Sequence, residues 1–265
     1  MGLDEFLNAL PEDEDARLNY ASLPELSGLT TPEAEEFGQL WLEWSDERVL
    51  ELVKRMVTLC EGQPDIEFEA VHKQGLLHAS EPVRLSSLKG LDESDDRTLI
   101  KPLCKMMTED PATAVRAAAA ESLAHLSSLA QAGKLAPRDE EKLTGVLYSV
   151  LDDEDERDAV KLKALETVSV FGGERLTDYI EAAWSSGDIA ARQSSIYAMG
   201  RTSDPKWATH VAEDLEHDVV AVRYEATMAM GEIGDEEHLN ALQAPLDDAD
   251  LTVQLAAISA GERIG

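Results

Sequence analysis

The stretch Ala221-Val222-Arg223-Tyr224-Glu225-Ala226 decides the fold, because the chain repeats it without gaps. Ala159-Val160-Lys161-Leu162-Lys163-Ala164, Ala190-Ala191-Arg192-Gln193-Ser194-Ser195 and Thr252-Val253-Gln254-Leu255-Ala256-Ala257 align with it, so that Lys161, Arg192, Arg223 and Gln254 stand 31 residues apart. Upstream, Val115-Arg116-Ala117-Ala118-Ala119 and Val83-Arg84-Leu85-Ser86-Ser87 continue the series at a spacing of 32. A fixed period of this size is the mark of stacked supersecondary units. The step from Arg116 to Lys161 is 45 residues, one period plus 14. It places an insert near residues 127–138, with Gly133 and Pro137, which predicts a bulging loop or, alternatively, a loop that touches a partner.

With the arginine-like position as zero, the residue before it is Val83, Val115, Val160, Ala191, Val222 or Val253. Seven positions after it come Leu91, Leu123, Val168, Met199, Met230 and Gly261, and small or apolar residues fill plus three and plus four. This is the spacing of one buried helical face. Ser80, Asp110, Asp155, Asp188, Asp218 and Asp250 predict the helix starts, and Gly172, Gly234 and Gly265 at plus eleven predict left-handed stops. A second apolar pattern lies between these helices, in Ile100/Leu103/Met107, Thr177/Ile180/Trp184, Ala208/Val211/Leu215 and Leu239/Leu242/Leu246. Each unit is therefore a helical hairpin. Thr31-Pro32 opens a helix with Phe37, Leu40, Trp41 and Trp44 on one stripe, Asp46 opens the next, and seven hairpins cover residues 32 to 265. No such hairpin buries its own apolar stripe, so the units must stack. The expected fold is all-α, an α-α superhelix of about seven hairpins, forming a single domain over 23–265. Residues 1–22 form an acidic segment expected to be flexible, although Leu3, Phe6, Leu7 and Leu10 keep a helical stripe that could dock on the chain's own helices or on a partner.

Composition narrows the classes. The 265 residues hold 54 acidic against 23 basic side chains, a net charge of -31, with 43% hydrophobic and 5% aromatic residues. The apolar share suffices for a core, and no apolar run reaches the ~18–20 residues of a membrane span. A basic leader is lacking at Met1-Gly2-Leu3-Asp4-Glu5. A cytoplasmic protein without a membrane partner is expected. Cys60 and Cys104 stand apart and encode neither a disulfide framework nor a zinc site, so two buried thiols are expected. The excess negative charge repels phosphate backbones, which argues against nucleic acid as a partner.

Arg223-Tyr224-Glu225-Ala226-Thr227-Met228-Ala229-Met230-Gly231-Glu232-Ile233-Gly234-Asp235 resembles the short HEAT-like repeats named after phycobilisome (bilin) lyase subunits. Together with Leu26-Ser27-Gly28-Leu29-Thr30-Thr31-Pro32-Glu33 before a tryptophan-bearing helix, the arrangement looks like that of bacterial HEAT-repeat proteins. The resemblance covers most of the chain. It implies a HEAT-like solenoid with the second helix of each pair on the inner, concave side. Members serve as adaptors, lyase-chaperone subunits and activators of modifying enzymes, so the fold leaves the function open. Lys161 and Gln254 depart from the pattern, and any ladder of Asp to Arg contacts should weaken there.

No phosphate loop, dinucleotide fingerprint, nucleophile elbow, HExxH or calcium-loop spacing occurs, so no catalytic residue, cofactor or metal is assigned. His210, Asp214 and His217 have a spacing that can ligate a divalent metal, but Val211 and Leu215 occupy the buried stripe, which leaves these three as solvated helix-end residues. The run Leu151-Asp152-Asp153-Glu154-Asp155-Glu156 reads as a solvated loop. Arg84, Arg116, Arg192 and Arg223 read as inter-unit packing.

Positions plus one and plus five point away from the core face. There Leu162, Tyr197, Tyr224, Met228 and Leu255 make an apolar strip, rimmed by Glu166, Arg201 and Glu232, where regular repeats carry charges. Such a strip suits a protein or peptide groove; lateral packing of adjacent helices is the alternative. The expected function is a non-catalytic scaffold binding a protein or peptide in that groove. The alternatives are a subunit or chaperone of a modifying enzyme, as the bilin-lyase resemblance implies, and a nucleic-acid-acting protein similar to DNA alkylation glycosylases, which Glu121, Glu166 and Glu232 oppose. The last repeat helix ends without a polar cap, so self-association through that end is also expected.

Overall fold

The computed structural model describes residues 2–10, 19–63 and 65–264. These residues are all-α, built of helices and short 3-10 turns, and the seven expected hairpins are present. The chain divides into two compact units, Met1–His125 and Leu126–Gly265, with the boundary inside one long helix.

The first unit opens with α1 (Gly2–Asn8) and continues through α2 (Thr31–Leu40), α3 (Asp46–Gly62), α4 (Glu69–Gly75), α5 (Glu81–Lys89), α6 (Ile100–Glu109) and the first part of α7 (Thr113–Gln131). Of the acidic N-terminal segment, residues 11–18 lie outside the described residues. Residues 2–10 dock on the chain itself: Leu3 and Phe6 are buried, and the Phe6 ring meets Phe37 edge-on at 5.6 Å. Helix α2 starts one residue earlier than Thr31-Pro32 suggests, because Glu33 accepts hydrogen bonds from both the main-chain N (2.9 Å) and the hydroxyl (2.6 Å) of Thr30. Cys104 is buried, but Cys60 is only half-buried.

The second unit holds the rest of α7, then α8 (Pro137–Asp152), α9 (Asp158–Val168), α10 (Glu174–Ser185), α11 (Ile189–Arg201), α12 (Ala208–Asp214), α13 (Val220–Ile233), α14 (Gln243–Leu246) and α15 (Leu251–Ile264). Helices α9, α11, α13 and α15 lie side by side as one layer, and α10, α12 and α14 each back onto the helix that follows them. The layer is tight because plus eight of one unit touches plus six of the next. A Cβ added at Gly200 would lie 3.0 Å from the Ala229 Cα, and one at Gly231 only 2.8 Å from the Ala260 Cα. The core columns are filled as the period predicts: Val160, Val222, Val253, Val168, Met199 and Met230 are inaccessible to solvent.

The arginines at position zero pack loops rather than ligands. Arg223 Nη1 donates to the carbonyl of His217 (2.9 Å), six residues back, while its Nε and Nη2 reach the Asp248 carboxylate one unit on. Arg84 does the same with His78 O (2.9 Å) and Asp110, and Arg116 holds Asp110 O (2.9 Å). Gln254 keeps only the carbonyl half, donating to Asp248 O (2.6 Å), and Lys161 keeps neither.

Several local expectations change. The insert is no bulging loop: helix absorbs it, since α7 runs for 19 residues and α8 for 16. The turn between them is closed by Gly133 at φ 66, with Gly133 N on Ala130 O (2.9 Å) and Lys134 N on Leu129 O (2.8 Å). Residue 157 rather than Asp155 precedes α9, because Asp155 N is tied back to Asp153 Oδ1 (3.0 Å). Val219 rather than Asp218 precedes α13, because His217 Nδ1 accepts the Val219 N–H at 3.0 Å. Gly172 stops its helix at φ 65, whereas Gly234 is extended at φ -72 and Gly265 lies outside the described residues. In α10 the helix turns to bury Leu176 with Ile180, which leaves Thr177 and Trp184 half-buried. Leu239 and Leu246 are exposed and Leu242 alone of the three is buried, so the 3-10 turn Glu236–Leu242 and the four-residue α14 that follows it keep only one residue of the expected stripe in the core.

Candidate partner-binding groove

Helices α11, α13 and α15 present their plus-one and plus-five positions on one surface. A groove of about 760 Å³ runs across α13 and α15, walled by Val220, Tyr224, Met228 and Leu255 with Gln193 and Ser259 at its edges. Its apolar residues are accessible: Tyr224 is 37% and Leu255 57% exposed. A recess of about 250 Å³ adjoins it between α11 and α13, lined by Tyr197, Arg201, Tyr224, Met228 and Glu232. Tyr224, Glu225 and Met228 belong to both cavities.

Six of the eight strip and rim residues therefore come together: Tyr197, Arg201, Tyr224, Met228, Glu232 and Leu255. Leu162 does not join them. It lines a separate cavity of about 340 Å³ with Lys161 and Tyr179, between α9, α10 and α11. Glu166 stands beside the strip, its carboxylate held by Lys163 Nζ (2.9 Å) and the Ser194 hydroxyl (2.5 Å). Arg201 Nη2 donates to Ser128 Oγ (3.0 Å), and Glu232 pairs with Arg263.

Glu225, one residue past Tyr224, is the member that the sequence pattern missed. It sits at plus two, between the core and surface faces, where a lone acidic residue reads as solvated. In the fold it lies low in the groove wall. Burial, with the nearby Glu166 carboxylate, pushes its carboxyl up to about 7 against the pull of Lys163. It makes no hydrogen bond or ion pair through its side chain among the described residues. Burial also raises the Tyr197 hydroxyl above its ordinary value.

The histidine cluster is committed elsewhere. Asp214 is fully buried, not solvated, and accepts from Trp184 Nε1 (2.9 Å) and Arg192 Nε (3.0 Å). His210 meets both Trp184 and Trp207 edge-on, with ring centroids at 4.9 and 5.4 Å. Arg192 lies over the Trp184 ring and Lys206 over the Trp207 ring, at 4.1 and 4.9 Å from their centroids. His217 accepts from Val219 N. Asp152 of the acidic run is engaged by Arg175 and Tyr179.

Two family models match the sequence: HEAT repeats over residues 180–261 and HEAT repeat over residues 99–130. These two stretches are similar to HEAT repeats. The longer HEAT match contains α11 and α13 and takes in the groove. No curated protein matches the sequence. Among solved structures, importin beta is 14% identical with a TM-score of 0.50, over 98% of this chain and 40% of that one, so the present chain spans about two fifths of its length. At that identity the likeness is one of fold alone, an α-solenoid. Human deoxyhypusine hydroxylase in complex with glycerol is 21% identical (TM-score 0.40, 99% of this chain, 95% of that chain). The complex of CpcE and CpcF of phycocyanin lyase from Nostoc sp. PCC7120 is 15% identical (TM-score 0.47, 97% of this chain, 98% of that chain). No helix among the described residues is long and apolar enough to cross a membrane.

Proposed function

We propose that this chain is a non-catalytic scaffold that binds a protein or peptide in the groove over α11, α13 and α15. The observation that carries the reading is the adjacency of Tyr224, Met228 and Leu255 on an accessible surface, in columns that solvated helices ordinarily fill with charge. Tyrosine is an effective anchor because it offers large contact area on two rotors, and methionine because its flexible, polarizable side chain adapts to the surface it meets. The repeats are of the short type that the Arg223–Asp235 stretch resembles. Leu251 and Ile258, exposed beside Leu255 on α15, extend the apolar surface and make self-association part of the same reading.

The test is affinity capture followed by mass spectrometry from the source cells, with wild-type protein and a Tyr224→Ser/Leu255→Ser variant. Both side chains are exposed, so helicity and melting should stay near wild type. A captured partner should disappear with the variant; capture that survives the substitutions removes the groove from the reading. Light scattering on the same two samples separates self-association from partner binding.

A further inference from the structure

Among the residues that line the larger groove, Glu225 is the one carboxylate, and none is a lysine, arginine or histidine. The other charged groups near it are already spoken for. On α9, Lys163 is bound to Glu166; on α11, Arg201 is bound to Ser128, and Tyr197 is neutral at ordinary pH; further along α13, Glu232 pairs with Arg263 of α15. The groove-facing residues of α15 are Thr252, Leu255, Ala256 and Ser259, which bring no charge. An acid is thus set into the wall of an apolar groove, and among the described residues no cation of the chain, neither Lys163 nor Arg201, makes an ion pair or hydrogen bond with it.

We propose that the groove takes a peptide segment carrying a lysine or arginine beside an aliphatic side chain, the cation meeting the Glu225 carboxylate and the aliphatic group lying among Tyr224, Met228 and Leu255. The inference rests on the groove reading above and names the chemistry of its occupant. A neutral apolar segment would cover Glu225 and leave a desolvated carboxyl unmatched, which is costly. An acidic segment would add like charge to Glu225 and Glu166. A basic segment restores to Glu225 the counter-charge that the fold withholds, and the hydrogen bond so made is charge-assisted.

The carboxyl near 7 gives this contact a pH signature. Binding a cation requires the ionised form, so occupancy draws a proton off Glu225. Affinity should therefore rise as the pH is raised through neutrality, a range in which lysine and arginine keep their charge.

The test uses fluorescence anisotropy with three labelled model peptides of equal length, alternating Leu/Lys, Leu/Glu and Ser/Lys, at a salt of about 0.15 M that screens the general attraction of an acidic protein for bases. The Leu/Lys peptide should bind, the other two much more weakly. Glu225→Gln should weaken Leu/Lys binding by about tenfold, the loss of one charged contact, and flatten its rise between about pH 6 and pH 8. Leu255→Ser should weaken it at every pH. If Leu255→Ser and Tyr224→Ser abolish binding while Glu225→Gln leaves it unchanged, the groove stands and the basic occupant falls. If none of the three substitutions alters binding, both fall. Failure of the Leu/Lys peptide to bind, or equal binding of the Leu/Glu or Ser/Lys peptide, overturns the proposal. Far-UV circular dichroism checks that Glu225→Gln folds, and removing a buried charge favours that outcome.

Discussion

Arg223 and Asp248 are joined by two parallel hydrogen bonds, Nε to Oδ2 at 2.6 Å and Nη2 to Oδ1 at 2.9 Å, across a full repeat. Both side chains are mostly shielded, at 16% and 7% exposure, so the pair escapes the screening that weakens surface ion pairs. The arginine beside it holds the Asp248 carboxyl below its ordinary 3.8. A depressed acid contributes stability that is complete above the unfolded value and is lost as the pH falls through the folded one. Asp248→Asn should therefore lower the unfolding free energy by about 2 kcal/mol at neutral pH, the cost of breaking a charged hydrogen-bonded pair. In urea titrations the gap between variant and wild type should close below pH 3.8.

Two glycines in α-helices should respond to alanine with opposite signs. Gly145, inside α8, has nothing within 4 Å of an added Cβ, so Gly145→Ala should stabilise by about 0.5–1 kcal/mol through helix propensity. Gly231→Ala would drive a methyl against the Ala260 backbone at 2.8 Å and pry α13 from α15. Overpacking of that kind costs about 1–3 kcal/mol and outweighs the propensity gain. Thermal melts of the two variants check both signs.

His72 should set part of the acid limit of the first unit. It is 1% exposed, neither ring nitrogen has a hydrogen-bond partner among the described residues, and burial holds it down at about 4 against an ordinary 6.5. The folded state resists protonation while the unfolded state accepts it, so stability falls as the pH drops from 6.5 towards 4. His72→Leu should remove that slope, gaining on the order of 2 kcal/mol relative to wild type by about pH 5, one and a half pH units below the unfolded value. Denaturant unfolding at a series of pH values would show it; parallel profiles would discard the assignment.

Met228 and Met230 are two residues apart and face opposite ways. Met230 is fully buried, and Met230→Ala should cost about 3 kcal/mol through the cavity it leaves. Met228 lines the groove, and Met228→Ala should stay within about 1 kcal/mol of wild type in the same chemical denaturation experiment while weakening partner capture.

The period of 31 residues made most of the fold legible, because a repeated apolar stripe must be buried by its neighbours wherever it recurs. It failed where one residue's chemistry outweighed the average of its column. Leu176 displaced Thr177 from the core of α10, and the residues of the insert proved good enough helix formers to lengthen α7 and α8. Within the groove, Tyr197, Tyr224, Met228 and Leu255 were readable as a column out of keeping with solvent. Glu225 was not, since whether an acid at plus two is wet depends on the neighbouring helices rather than on its own position. Leu162 shared the column yet parted from the strip, because it opens into a cavity of its own between α9, α10 and α11.

The loop carboxylates have a mechanical consequence. Asp248 is gripped from one side by Arg223 and from the other, through its carbonyl, by Gln254, so consecutive hairpins share a rivet instead of each being fastened on its own. Pulled from its C-terminal end in an optical trap, the second unit should peel in steps of one repeat, each releasing about 100 Å of chain. The rupture force should drop where a rivet is missing, and Lys161 marks that place.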